Sequence, residues 1–140
     1  MKQIPVIFWT GTGNTQMMAD AVAEAINAAG AEAVVKNISE ITADEAAGYD
    51  ALALGCPAMG AEALEESEFE PMFDGVKSRL AGKKVALFGS YGWGGSYMQD
   101  WEARVKDAGA TLVADGVLAL GAPDDEAMAK LTEAGKLLAE

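Results

Sequence analysis

Short apolar runs and amphipathic stretches alternate along the whole chain. Ile4 to Trp9 is a continuous apolar run that ends in a Gly/Thr-rich loop. From Thr15 to Ala29, apolar residues at Met18, Ala21, Val22, Ala25 and Ile26 fall on one helical face, and Gly30 stands where a C-terminal cap belongs. Val34-Val35 centres a short second strand, and Thr42-Ala43-Asp44-Glu45 has the form of a capping box opening a short helix. Ala51 to Gly55 is uninterruptedly apolar, as expected of a strand covered on both faces. The pattern then predicts a helix from about Pro71 closed by Gly82, a fourth strand over Val85 to Gly89 and a helix over Tyr97 to Ala108. A fifth strand is expected over Thr111 to Leu120, and a last helix from Asp124 to the end, entered through Pro123.

Strands alternating with helices imply a parallel sheet with helices on both faces. Five strands favour the doubly wound order 2-1-3-4-5. At 140 residues the chain fits one α/β domain spanning 1–140, with no internal repeat and no linker. A chain of this size buries roughly 68–70% of its unfolded surface, enough for a core without disulfides or metal. In such folds ligands bind beyond the carboxyl ends of the strands, where strand order reverses. The loops after strands one, three and four are therefore the place to look for chemistry.

Charge narrows the field. The chain carries 22 acidic against 10 basic residues, a net charge of −12, and no histidine. Such a surface repels nucleic acid and anionic lipid and speeds encounter with basic proteins. Lack of histidine removes the commonest general acid/base and a favoured metal ligand, which weighs against a hydrolase. One cysteine, Cys56, excludes an intramolecular disulfide and points to a reducing compartment. Together with the absence of a signal-like N-terminal run or a long apolar span, this predicts a cytoplasmic protein with no membrane partner.

The first loop is Thr10-Gly11-Thr12-Gly13-Asn14-Thr15. Its glycines permit a tight turn with inward backbone N–H groups, its polar side chains add neutral donors, and the following helix offers a positive dipole end. That is an anion cradle suited to phosphate. No Lys follows the last Gly as in a Walker loop, and Gln16 stands where a dinucleotide fingerprint needs a third glycine. A cradle without Lys or Arg holds phosphate by dipoles alone, which suits a retained cofactor better than phosphoryl transfer. The second loop, Gly55-Cys56-Pro57-Ala58-Met59-Gly60-Ala61-Glu62, combines backbone freedom at Gly60 with a soft apolar Met59 and an acceptor-only Glu62. Met59 is as well suited to filling core as to meeting a ring. The third, Ser90-Tyr91-Gly92-Trp93-Gly94-Gly95-Ser96, mounts two aromatics among three glycines, which serves a flat ligand wall or else a plug over the sheet edge. Trp101 reads as core, and Trp9 reads either way.

Thr-Gly-Thr-Gly-Asn-Thr after strand one, Cys-Pro-Ala-Met-Gly-x-Glu after strand three and Ser-Tyr-Gly-Trp-Gly after strand four resemble the three FMN-binding loops of clostridial-type short-chain flavodoxins. The resemblance runs through nearly the whole chain in order and spacing. It implies a flavodoxin-like fold; flavodoxins are themselves a standing illustration of the switch-point rule, with FMN between strands one and three. It further implies that Thr10, Gly11, Thr12, Gly13, Asn14 and Thr15 hold the FMN phosphate. Met59 packs on the inner face of the ring and Trp93 on the outer. The Gly60 carbonyl accepts a hydrogen bond from flavin N5–H, and Glu62 accepts one from N3–H. Pro57, Ala58 and Ala61 complete the second loop, and Ser90, Tyr91, Gly92 and Gly94 meet the flavin edge or ribityl chain. Ala61 departs from the polar or acidic residue that relatives often carry there, and Leu118 to Pro123 is apolar for a flavin-edge loop.

The expected function is that of a low-potential one-electron carrier using non-covalently bound FMN, monomeric and not itself an enzyme. Its partners are basic-surfaced redox enzymes, of the ferredoxin/flavodoxin-type reductases and oxidoreductases, docking transiently near Glu62, Glu65, Glu66, Glu68 and Glu70. Rivals on this architecture fail at essential residues. A response-regulator receiver needs acidic strand ends where this chain has Trp9-Thr10-Gly11 and Gly55-Cys56-Pro57. A low-molecular-weight tyrosine phosphatase needs Arg where Glu62 stands. An FMN-dependent reductase that oxidises a nicotinamide cofactor is the stronger rival, but no basic site for the nicotinamide phosphate is evident. Cys56, with no histidine to activate it, reads as a small apolar residue near the cofactor.

Overall fold

The computed structural model describes residues 2–9, 13–57, 68–91 and 96–140. Its elements run β1 (Gln3–Phe8), α1 (Asn14–Ala28), β2 (Glu32–Asn37), a 3₁₀ turn (Ile38–Glu40), α2 (Ala43–Ala47), β3 (Ala51–Gly55), α3 (Phe69–Lys77), β4 (Lys84–Tyr91), α4 (Ser96–Asp107), β5 (Thr111–Leu112), β6 (Val117–Leu120) and α5 (Asp125–Ala139). Every pairing is parallel, in the order β2-β1-β3-β4-β5 with β6 also on β4. The expected order is thus observed.

Alternation along the strands decides what each face of the sheet can hold. In β3, Ala51 and Ala53 face the cluster built on α1 and α5, whereas Leu52 and Leu54 face the cluster built on α3 and α4. β4 repeats the rule, sending Ala86 and Phe88 to the first side and Val85 and Leu87 to the second. Helices α1 and α5 pack closely on this side at Gly135 of α5. A β-carbon there would stand 2.6 Å from Ala25 Cβ and 2.8 Å from the Val22 carbonyl oxygen of α1. On the opposite side the longer strand residues meet aromatics. Trp101, as expected, is core at 1% exposure, with Phe69 and Phe73 edge-on at 5.5 and 6.1 Å.

The fifth strand departs from expectation. It is two segments, both paired with β4, rather than one run from Thr111 to Leu120. Between Val85 and Phe88 β4 advances three residues, while the opposing chain advances five, from Leu112 to Val117. The two extra residues form a bulge, and the Gly116 N–H it turns out of the ladder donates to Glu102 of α4 at 2.7 Å. β4 is also longer than its apolar pattern suggests. Ser90 and Tyr91, read from sequence as loop, are strand residues paired with Ala119 and Leu120. Helix α3 begins two residues before Pro71 and stops at Lys77, well short of Gly82.

Helix ends follow their caps. Thr42 and Glu45 close the predicted capping box on α2, and the Asp124 side chain accepts from Ala127 N–H at the start of α5. Between α3 and α4, Arg104 makes a bidentate pair with Glu70 at 2.8 and 2.7 Å and lies 4.7 Å over the Phe73 ring. Hydrogen bonding to Glu70, opposed by its partial burial, raises the ionisation of Arg104 further above its ordinary value.

The α1–α5 contact yields a stability test. Ala is the better helix former by about 1 kcal/mol, yet Gly135→Ala drives a methyl group into the α1 backbone. Net destabilisation of about 1–3 kcal/mol is expected, read as a lower urea midpoint with an unchanged m-value.

Candidate functional site

Register brings three chain ends together. Phe8 of β1 pairs with Gly55 of β3, and Gly55 pairs with Phe88 of β4, so the three strands reach the carboxyl edge on one row. Neighbouring strands lie about 4.8 Å apart, so the loops that leave this row arise within roughly 10 Å of one another. The ladder continues past the row, with Trp9 N–H donating to the Gly55 carbonyl at 3.0 Å and Cys56 N–H to the Phe88 carbonyl at 3.1 Å. β1 and β3 are sequence-separated neighbours whose flanking strands lie on opposite sides, which makes this row the point where strand order reverses.

Of the expected site residues, Gly13, Asn14, Thr15, Pro57, Ser90 and Tyr91 are described, and all belong to these three chain ends. Thr10, Gly11, Thr12, Ala58, Met59, Gly60, Ala61, Glu62, Gly92, Trp93 and Gly94 lie outside the described residues. Gly13 is the N-cap of α1 at φ 92°, a left-handed conformation that glycine adopts without steric cost. The first helical bond runs from Met17 N–H to the Gly13 carbonyl at 3.1 Å, so the helix itself supplies no acceptor for the N–H groups of Asn14, Thr15 and Gln16. Among the described residues no side chain caps this end, and no acidic residue occupies its first turn. In contrast, α2 and α5 have both. The positive end of α1 is therefore left for an anion at the edge of β1.

Beneath it, the Thr15 and Ser90 hydroxyls are 3.3 Å apart and buried at 1% and 6% exposure. A hydroxyl that accepts one hydrogen bond still donates another. If Ser90 donates to Thr15, the Thr15 O–H remains available to a phosphate above α1. These residues fit a phosphate held by neutral dipoles, and thus the FMN site the sequence resembles.

Two further contacts brace the loop ends, and sequence reading missed both. Trp9 donates its indole N–H to Glu68 at 3.3 Å, tying the end of β1 to the start of α3. Tyr97, near the start of α4, is 3% exposed and donates its hydroxyl to the Cys56 carbonyl at 2.8 Å. Burial, and secondarily the neighbouring Cys56, push the Tyr97 phenol well above the ordinary tyrosine range, so it remains a donor. Nothing in its local sequence marks it, because its partner lies 41 residues away. Cys56 itself is fully buried, at the root of the second loop.

These features define a doubly wound α/β protein whose switch point carries a helix N-terminus able to hold an anion. Comparison with known proteins makes the assignment specific. The family model for flavodoxin matches residues 6–135. The flavodoxin of Clostridium beijerinckii is 44% identical over 135 residues, covering 96% of this chain and 97% of that one. The flavodoxin of Megasphaera elsdenii is 44% identical over 116 residues, covering 82% and 85%. The solution structure of two-electron reduced Megasphaera elsdenii flavodoxin superposes with a TM-score of 0.89 at 41% identity, covering 97% of this chain and 98% of that one. The chain belongs to the flavodoxin family. It is an FMN-binding electron-transfer protein that carries electrons to redox partners.

The buried phenol gives a pH test with a defined sign. Its pKa is raised on folding, so the native state keeps a proton that the unfolded chain releases above about pH 10. The stability tied to this group is present below that pH and declines above it. Tyr97→Phe is expected to lessen the alkaline fall in the urea midpoint relative to the parent. An ultraviolet titration of the native parent should leave the Tyr97 phenol un-ionised until the chain unfolds.

Proposed function

We propose that this flavodoxin is a low-potential, one-electron carrier whose FMN is held by the loops at residues 10–15, 57–62 and 90–94. The observation that carries this reading is the single row Phe8–Gly55–Phe88, from which all three loops depart beside the uncapped end of α1. FMN supplies the redox chemistry when bound, accepting and releasing electrons on its ring. The chain's part is to bind it and bias it.

Thr10, Gly11, Thr12, Gly13, Asn14 and Thr15 hold the phosphate through neutral donors, leaving its charge uncancelled. Met59 and Trp93 would flank the ring and exclude water, the Gly60 carbonyl would accept at N5 and Glu62 at N3. Ala58, Ala61, Pro57, Ser90, Tyr91, Gly92 and Gly94 complete the walls. A cradle without a cation, on a chain of net charge −12, disfavours additional negative charge at the site. That bias moves the lower potential negative. The Gly60 acceptor favours a ring protonated at N5 and separates the two electron steps.

The same charge recruits partners. Glu62, Glu65, Glu66, Glu68 and Glu70 form the docking run for a basic redox enzyme; Glu62, Glu65 and Glu66 lie outside the described residues, and Glu70 is paired with Arg104. Weak and fast association suits a carrier. Among the described residues no helix is long and apolar enough to cross a membrane. We take the protein to act as a single-domain monomer in the cytoplasm, consistent with its one buried cysteine.

Stepwise anaerobic reduction with dithionite tests the one-electron claim. An absorbance band that rises and then falls between the oxidised and fully reduced spectra is expected. Direct bleaching in one two-electron step contradicts it. Replacing Glu65 and Glu66 together by Gln is expected to slow reduction by a basic partner reductase roughly tenfold at low ionic strength, with the difference vanishing at high salt. Partner turnover indifferent to both changes refutes the docking reading.

A further inference from the structure

The two residues that interrupt the fifth strand dock on α4 and decide what stands beside the buried hydroxyl pair. Gly116 donates its N–H to the Glu102 side chain at 2.7 Å, and a β-carbon on Gly116 would collide with the Met98 side chain of the same helix. Past this excursion β6 pairs with the end of β4, so that Ala119 lies opposite Ser90. Ala119 is buried on the α1/α5 side, the side from which the Thr15 hydroxyl meets that of Ser90 at 3.3 Å. An unbroken strand would continue the Val85–Leu112 pairing, bringing Asp115 opposite Phe88 and Val117 opposite Ser90. We propose that Glu102 is a positioning residue for the phosphate end of the cofactor: by holding the Asp115–Gly116 excursion on α4, it keeps Ala119 rather than Val117 beside Ser90. This rests on the site reading above, in which Thr15 and Ser90 lie under the FMN phosphate.

The excursion needs such a hold because alternation alone does not choose between the two registers. Side chains repeat with period two along a strand, so a slip of two residues returns each one to its own face. Val113 and Val117 both pack against the α1/α5 cluster, and a slipped Asp115 would join them there. Two acidic residues oppose the slip from different directions. Asp115 opposes it through the cost of burying an unpaired carboxylate beside Phe88, which is 1% exposed. Glu102 opposes it by offering the Gly116 N–H a charge-assisted acceptor only where the excursion stands. In the slipped register the larger Val117 would replace Ala119, about 4.8 Å from Ser90 on the neighbouring strand. Overpacking at that point would press on the Ser90–Thr15 pair and disturb the donor that faces the phosphate. The signature is therefore an effect on FMN that riboflavin, which lacks the phosphate, does not share.

The test uses the full chain as apoprotein, with FMN and riboflavin as probes and affinity read from quenching of flavin fluorescence. Glu102→Ala and Glu102→Gln are each made in the parent and beside Asp115→Ala. Within each pair the charge is the same, and only Gln keeps an oxygen to accept from Gly116. Glu102→Ala beside Asp115→Ala is expected to weaken FMN binding roughly tenfold, the scale of an overpacked contact, and to leave riboflavin affinity at the parent value. Glu102→Gln beside Asp115→Ala is expected to restore FMN affinity to within about twofold of the parent. NMR contacts of Ser90 report the register in the same proteins, with Ala119 its neighbour in the parent and Val117 in the double Ala variant. An unchanged register, a slipped register with FMN affinity intact, or equal losses for FMN and riboflavin overturns the proposal. Should the double variant not fold, Glu102→Ala alone carries the test. A loss of roughly two- to fivefold confined to FMN is then expected, and no loss or an equal loss for both flavins overturns the proposal. Thr15→Val, which removes the hydroxyl, separates the two levels of the argument. A loss confined to FMN in Thr15→Val beside none in the Glu102 variants refutes the positioning role alone. No such loss in Thr15→Val refutes the site reading, and the positioning role with it.

Discussion

The register that aligns Phe8, Gly55 and Phe88 across three parallel strands is the constraint on which the site depends. Parallel pairing fixes which residues leave the sheet together, and a slip of one residue in any strand would exchange its buried faces. Here the exchange is strongly disfavoured because the two faces are unequal. In β3 and β4 the α1/α5 side takes Ala51, Ala53, Ala86 and Phe88, and the α3/α4 side takes Leu52, Leu54, Val85 and Leu87. Swapping them would force leucines into space packed to alanines on one face and leave alanines where leucines fill the other. Core packing thus secures the alignment of the loops.

Given that alignment, the site needs little more than neutral polar chemistry. The uncapped end of α1 and the buried Thr15–Ser90 pair offer dipoles where an enzyme of phosphoryl transfer would offer cations. Charge is kept for the surface, where it can act over distance on a partner. Even there it is selectively used. Arg104 takes up Glu70 in a bidentate pair that joins α3 to α4, so this glutamate serves the scaffold. The family's task of holding FMN and meeting larger redox proteins is thereby divided between a dipolar interior and an acidic exterior.

Much of this was legible in the sequence because the signals are local. Helix α1 and its Gly13 turn, the Thr42–Glu45 box, the alternation that makes Trp101 core, and the three loops each depend on neighbours a few residues apart. What escaped is non-local. Ser90 and Tyr91 belong to β4 because Ala119 and Leu120 pair with them, and nothing in Ser-Tyr-Gly-Trp-Gly announces that partner. The break in the fifth strand did leave a local trace, since Asp115-Gly116 is a turn dipeptide inside an otherwise apolar run. Its stabilising partner, Glu102, lies on another helix. Tyr97 is the clearest case, a residue whose environment is created wholly by a carbonyl 41 positions away.

On the proposed reading, three loops rising from one row of the sheet enclose FMN. A crystal structure of the FMN-loaded protein tests it most directly. The phosphate is expected over the N–H groups of Asn14 and Thr15, with the ring between Met59 and Trp93 at the carboxyl ends of β1, β3 and β4. A phosphate bound away from the α1 terminus, or a ring lying against another face of the sheet, would contradict it.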